Sequence, residues 1–196
     1  MDKEPPTPMT GRRLDYFTRP AAFTIPEEAL MIYQTGDLVV HPSYGLGSIV
    51  RLEERRLDAS GQRAYYVMEA GASTVWVPVQ PDGTATLRAV TPVRDLAHYR
   101  AVLRGTPNQL DRDHNKRRLE LKERLATGSF LILCEVVRDL SALGWQRPLR
   151  DADAAVLNKV RDNLLREWAA ASGQTIADAE EEVNRLLQAG RAAHAA

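Results

Sequence analysis

The hydrophobic period of this chain changes once, near Val90, and that change constrains the fold more than any other feature. Before it, β-branched and aromatic residues fall in short runs: Leu38-Val39-Val40, Ile49-Val50 with Leu52, Tyr65-Tyr66-Val67-Met68, Val75-Trp76-Val77 with Val79, and Thr86-Leu87-Arg88. Such runs suit a pleated, half-buried surface. His41-Pro42-Ser43-Tyr44-Gly45, Asp58-Ala59-Ser60-Gly61, Gly71-Ala72-Ser73 and Pro81-Asp82-Gly83 separate them. These residues supply the restricted φ, the positive φ and the local side-chain hydrogen bonds of tight turns. Five short strands in this order predict a small SH3-like or Tudor-like β-barrel.

After Val90 the apolar residues recur at about 3.6. Thr91 and Pro92 are placed to cap and open a first helix in which Leu96, Tyr99 and Leu103 share a face, closed by Gly105. A second helix is predicted over Arg117 to Ala126 with Gly128 as its stop, and a third, unusually apolar one over Phe130 to Leu143, ended by Gly144. Leu157, Val160, Leu164 and Trp168 mark a fourth that Gly173 ends. Thr175 can cap a fifth carrying Ile176, Ala179, Val183, Leu186 and Leu187. The fold class is therefore α+β by segregated domains: a flexible proline-containing arm (1–33), a β-barrel (34–90), an all-α helical domain (91–190) and a tail (191–196). The arm carries Pro5, Pro6, Pro8, Pro20 and Pro26 without a sustained apolar period, too little to offset the entropy of ordering it.

Composition narrows the function. Lys and Arg number 26 and Asp and Glu 26, so a globally polybasic nucleic-acid binder is excluded and any basic surface is local. The lone cysteine, Cys134, cannot form an internal disulfide, and the apolar run Phe130 to Cys134 is far short of the ~20 residues of a spanning helix. A cytoplasmic protein without membrane insertion is expected. His41, His98, His114 and His194 are too scattered for a local metal cluster, and Gly45-Leu46-Gly47 lacks the rest of a phosphate loop, so it reads as a turn. His98 reads as a surface helix residue and Cys134 as a small core residue. No catalytic residue, metal, cofactor or small-molecule substrate is expected.

One segment stands apart: Arg112, Lys116, Arg117, Arg118, Lys122 and Arg124 outnumber Asp113, Glu120 and Glu123. It is either a solvated helix face with Glu and Lys/Arg pairs at helical spacing or a patch that neutralises DNA phosphates.

The run Thr35-Gly36-Asp37-Leu38-Val39-Val40-His41-Pro42-Ser43-Tyr44-Gly45-Leu46-Gly47 resembles the start of the CarD/CdnL family of bacterial transcription regulators, whose barrel is shared with transcription-repair coupling factor. Tyr65-Tyr66-Val67-Met68, the Val77-Pro78 step, Leu87-Arg88, Leu125-Ala126-Thr127-Gly128 and Glu135-Val136-Val137-Arg138-Asp139-Leu140 extend the resemblance over roughly residues 34 to 187. It implies a non-enzymatic regulator whose barrel binds the RNA polymerase β subunit. The helical domain would meet promoter DNA, weakly and without sequence preference, at the upstream edge of the bubble and so modulate open-complex stability. By resemblance Arg55 and Trp76 are polymerase-binding, and Arg112, His114, Lys116, Arg117 and Arg118 are DNA-binding. From the residues alone, Trp76 is equally a barrel-core aromatic and Arg55 a solvated strand end. Relatives begin a few residues before the Gly-Asp pair, and Met31 stands five residues ahead of Gly36, so residues 1 to 30 are an added arm or a misassigned start.

One departure matters. Counting back from Gly128, His114 stands where relatives carry a tryptophan wedge, and a histidine offers less apolar surface to replace unstacked bases. Trp145 follows the third helix and is expected to pack its end. A protein-interaction adaptor that never engages DNA is the alternative expectation.

Overall fold

The computed structural model describes residues 33–58, 61–80 and 85–194. Five antiparallel strands, β1 (Leu38–His41), β2 (Gly45–Asp58), β3 (Gly61–Ala70), β4 (Ser73–Pro78) and β5 (Arg88–Ala89), form one sheet in the order β4-β3-β2-β1-β5. Hydrogen bonding among the described residues leaves β4 and β5 as edges. The sheet is open there, where the strand count had predicted a closed SH3-like or Tudor-like barrel, and β5 is only two residues long. Residues 1–32 of the expected arm lie outside the described residues. Tyr33 belongs to the sheet domain: its ring meets that of Tyr66 edge-on at 5.9 Å and its hydroxyl lies 3.4 Å from the Leu87 carbonyl.

A register shift between Ile49 and Arg51 divides β2. Beyond it Leu52, Tyr66 and Val77 fall on the face that also buries Val39, Ile49 and Met68. Arg51, Val67 and Trp76 are register partners on the opposite face. Gly47 lets the strands cross closely, because a Cβ there would lie 2.5 Å from the Glu69 carbonyl oxygen.

The chain then turns through a short 3-10 segment, Val93–Asp95, into α1 (Leu96–Arg104), α2 (His114–Ala126), α3 (Phe130–Gln146), α4 (Asp151–Ser172) and α5 (Ile176–His194). Their common core includes Leu96, Leu103, Leu121, Phe130, Val137, Leu164, Trp168, Val183 and Leu187. Full burial of each large side chain contributes about 1.5–3 kcal/mol. Gly128 and Gly173 adopt φ of +66° and +69° at the ends of α2 and α4, where a side chain would be strained. At the start of α5, Thr175 and Asp178 exchange side-chain-to-backbone hydrogen bonds in a capping box.

Three boundaries differ from expectation. α2 begins at His114 because Asp113 accepts from the Asn115 and Lys116 amides at 2.8 and 3.3 Å, and those donors hold its carboxyl below the usual range. α3 runs through Gly144 to Gln146, since Leu143 and Trp145 pack against the core and outweigh the ~1 kcal/mol that glycine costs inside a helix. Thr91 caps nothing; its amide and hydroxyl donate to Glu167. No helix among the described residues is long and apolar enough to cross a membrane.

Candidate functional site

Two surfaces carry the sequence-predicted residues, and a buried seam joins the domains that bear them. On the sheet, alternation turns Val77 into the core and Trp76 outward, with 37% of its surface exposed. Trp76 is thus no core aromatic. The Arg55 guanidinium lies 4.8 Å from the centre of its ring. Glu53 binds both neighbours: Arg55 Nε donates to its carboxylate at 2.6 Å, Arg51 Nη2 at 3.0 Å, and Trp76 Nε1 at 3.4 Å. These hydrogen bonds, that of Arg55 foremost, hold the Glu53 carboxyl below its ordinary range. Arg55 and Trp76, 21 positions apart in number and on different strands, thereby become one stacked aromatic–cation pair on an exposed face. Trp76 also sits on β4, an edge whose outward backbone groups can extend another sheet.

In the helical domain Arg112, His114, Lys116 and Arg118 are exposed. Arg117 is not with them. Its side chain is 2% exposed, and it forms a two-pronged pair with Asp153, Nη2 to Oδ2 at 2.5 Å and Nε to Oδ1 at 3.2 Å, while Nη1 donates to the Asp111 carbonyl. A guanidinium so enclosed cannot meet a phosphate, so the expected DNA-contact role of Arg117 is corrected to a structural one. Arg150 was missed in the sequence, where it reads only as the residue before α4. It joins His114 and Arg118 around a cleft of about 160 Å³. Cys134 is fully buried, and desolvation pushes its thiol well above the ordinary range, so no thiolate is available there.

The seam is polar and satisfied. Glu167, 1% exposed, accepts Arg88 Nη1 at 2.5 Å and Nη2 at 2.7 Å, and also the Thr91 amide at 3.2 Å and hydroxyl at 2.7 Å. Arg88 Nε donates to the Gly128 carbonyl at 2.7 Å. Close packing accompanies it: a Cβ on Gly45 would meet Asn163, and one on Gly128 would meet Pro42 at 2.9 Å. The two surfaces therefore sit on domains locked by a bidentate ion pair.

A sheet domain with an exposed aromatic–arginine pair, joined rigidly to a helical domain with a basic edge, defines a two-surface binding architecture. Residues 33–90 match the CarD-like/TRCF RID domain and residues 99–184 match the CarD C-terminal domain. The chain belongs to the CarD-like transcription factor family. A relative in Bacillus subtilis (strain 168), "Putative transcription factor YdeB", is 26% identical over 146 residues, which cover 74% of this chain and 95% of the relative.

Proposed function

We propose that the chain is a non-enzymatic, cytoplasmic transcription regulator that binds the β subunit of RNA polymerase through the Arg55–Trp76 face. Its helical domain then meets promoter DNA near the upstream edge of the bubble and tunes open-complex stability. The observation that carries this reading is the stacked Arg55–Trp76 pair, exposed yet held in one geometry by Glu53. Binding hot spots favour this combination, because Trp and Arg offer large contact area and a pre-ordered pair loses little freedom on docking. Trp76→Ala and Arg55→Glu should each weaken polymerase binding by about 2 kcal/mol, roughly 30-fold. A titration of tagged polymerase β subunit against folded variants measures this, and unchanged affinity in both would sink the interface assignment.

The DNA contact rests on exposed cations. Arg112, Lys116, Arg118 and Arg150 present positive charge without a fixed base-reading geometry, which suits phosphate contacts that weaken steeply with salt and change little with sequence. His114, exposed beside Arg118, offers less apolar surface than a tryptophan wedge. His114→Trp should therefore lengthen open-complex lifetime on a weak promoter without a comparable gain in affinity for free duplex. An unaltered lifetime with polymerase binding intact counts against fork contact. Two observations favour a second reading, an adaptor that binds polymerase or another partner without engaging DNA: Arg117 is withdrawn from the surface and the wedge position holds His114. A footprint of the polymerase–promoter complex with and without the protein separates the readings, since only the first adds upstream protection.

A further inference from the structure

Trp145 is absorbed by neither surface. It stands in the last turn of α3, half-buried, and lines a groove of about 790 Å³ between the loop that leads into α2 and the ends of α3 and α5. Drug-sized ligands occupy sites of about 300–1,000 Å³. Arg112, Arg147 and Arg191 line it from three directions, and none of them has a carboxylate partner among the described residues. The one acid in its wall, Asp139, is already neutralised: Arg138 Nη2 lies 2.8 Å away, and the Asn108 amide donates to it at 2.9 Å. Arg191 lies over the indole of Trp145, its guanidinium carbon 5.0 Å from the ring centre.

The walls are built before any ligand arrives. Asn108 ties the loop to Asp139 through both its amide and its side chain, and buried Arg117 grips the same loop at the Asp111 carbonyl, one residue before Arg112. Arg147 caps α3, its amide donating to the Leu143 carbonyl at 3.1 Å. The ends of α3 and α5 supply roughly half a negative charge each, which leaves about two of the three positive charges uncompensated. The groove therefore has a strong electrostatic demand for a multiply charged anion. Its aromatic element is an arginine stacked on an indole, and the open face of such a guanidinium is a platform for a nucleobase.

We propose that this groove binds a nucleotide unit, with phosphate held by Arg112 and Arg147 and the base stacked on the Arg191–Trp145 pair. The same chemistry is presented by a free nucleoside triphosphate and by a single strand of melted DNA. The site does not depend on the polymerase contact or on duplex binding at the cleft of His114, Arg118 and Arg150.

Full-length protein is titrated with adenosine triphosphate and separately with a short oligothymidylate, following tryptophan fluorescence and binding heat. Saturable quenching is expected with at least one probe. The heat should survive within a few-fold in Trp145→Phe, while its quenching shrinks. Arg147→Ala combined with Arg191→Ala should lower affinity about tenfold or more. Should that variant fail to melt cooperatively, Arg112→Glu on the exposed loop side chain gives the same test without touching a helix. Binding of the oligothymidylate alone assigns the groove to a DNA strand, and binding of the triphosphate with no competition from the oligothymidylate assigns it to a free nucleotide. Absence of heat with both probes, or equal binding by the arginine variants, overturns the proposal. Retained salt-dependent duplex binding by the same variants shows that the DNA-contact reading stands independently.

Discussion

Arg117→Ala should destabilise the chain by about 3–5 kcal/mol, because it strands the Asp153 carboxylate in a site that is 8% exposed with no cation beside it. For a chain of this length each kcal/mol moves the melting temperature by roughly 2–4 °C, so a fall on the order of 10 °C is expected. Its neighbour supplies the contrast. Arg118→Ala removes an exposed charge and should stay within about 0.5 kcal/mol of the parent, while lowering duplex affinity at low salt. Differential scanning calorimetry of the two variants makes the comparison, and equal melting temperatures would show that the Arg117–Asp153 pair does not form. Any loss of DNA binding in an Arg117 variant is to be read through its unfolding.

Glu167→Ala should cost about 3 kcal/mol, less than at Arg117 because Arg88 is 30% exposed and water can take up part of its charge. The effect reaches beyond stability. With Glu167 gone, Arg88 keeps only its bond to the Gly128 carbonyl, and Thr91 loses the acceptor of both its donors. The sheet and helical domains should then become susceptible to protease at the Ala89 to Val93 connection, while Arg55→Glu or Trp76→Ala leaves that connection protected. Pairing Glu167→Leu with Arg88→Met tests the electrostatic origin, since an apolar replacement of a buried ion pair is often nearly neutral. If the double variant is as unstable as Glu167→Ala alone, the seam is held by packing at Pro42, Gly45 and Gly128 and the ion pair contributes little.

The division into a sheet half and a helical half was legible because periodicity is a local property, and so were the helix ends at Gly128 and Gly173, where positive φ demands glycine. Closure of the sheet was not, since it depends on where the edge strands meet. The Arg55–Trp76 contact needed the register of three strands, and the shift after Ile49 that sets which side chains share a face has no sequence signature here. Arg117 was misread because a count of charges treats it like Arg118. Helical spacing carried the missing information: Arg117, Leu121 and Leu125 recur every four residues, which places the arginine on the inward stripe of α2. Glu167 carried the same signal, between Leu164 and Trp168 on the buried side of α4. Their partners, 36 and 79 positions distant, could come only from the fold.

The bond from Arg88 to the Gly128 carbonyl fastens one end of a lever. α2 holds 13 residues, about 20 Å of rod at 1.5 Å per residue, and only its far end carries His114, Lys116 and Arg118. A tilt of about 10° at the Gly128 pivot would sweep that tip through about 3 Å, the full reach of a hydrogen bond to a phosphate. The pivot is stiffened by contact with Pro42, whose ring leaves no room for a β-carbon on Gly128. The aim of the basic tip is therefore set some 20 Å from the tip itself, by a proline in the first hairpin of the other domain.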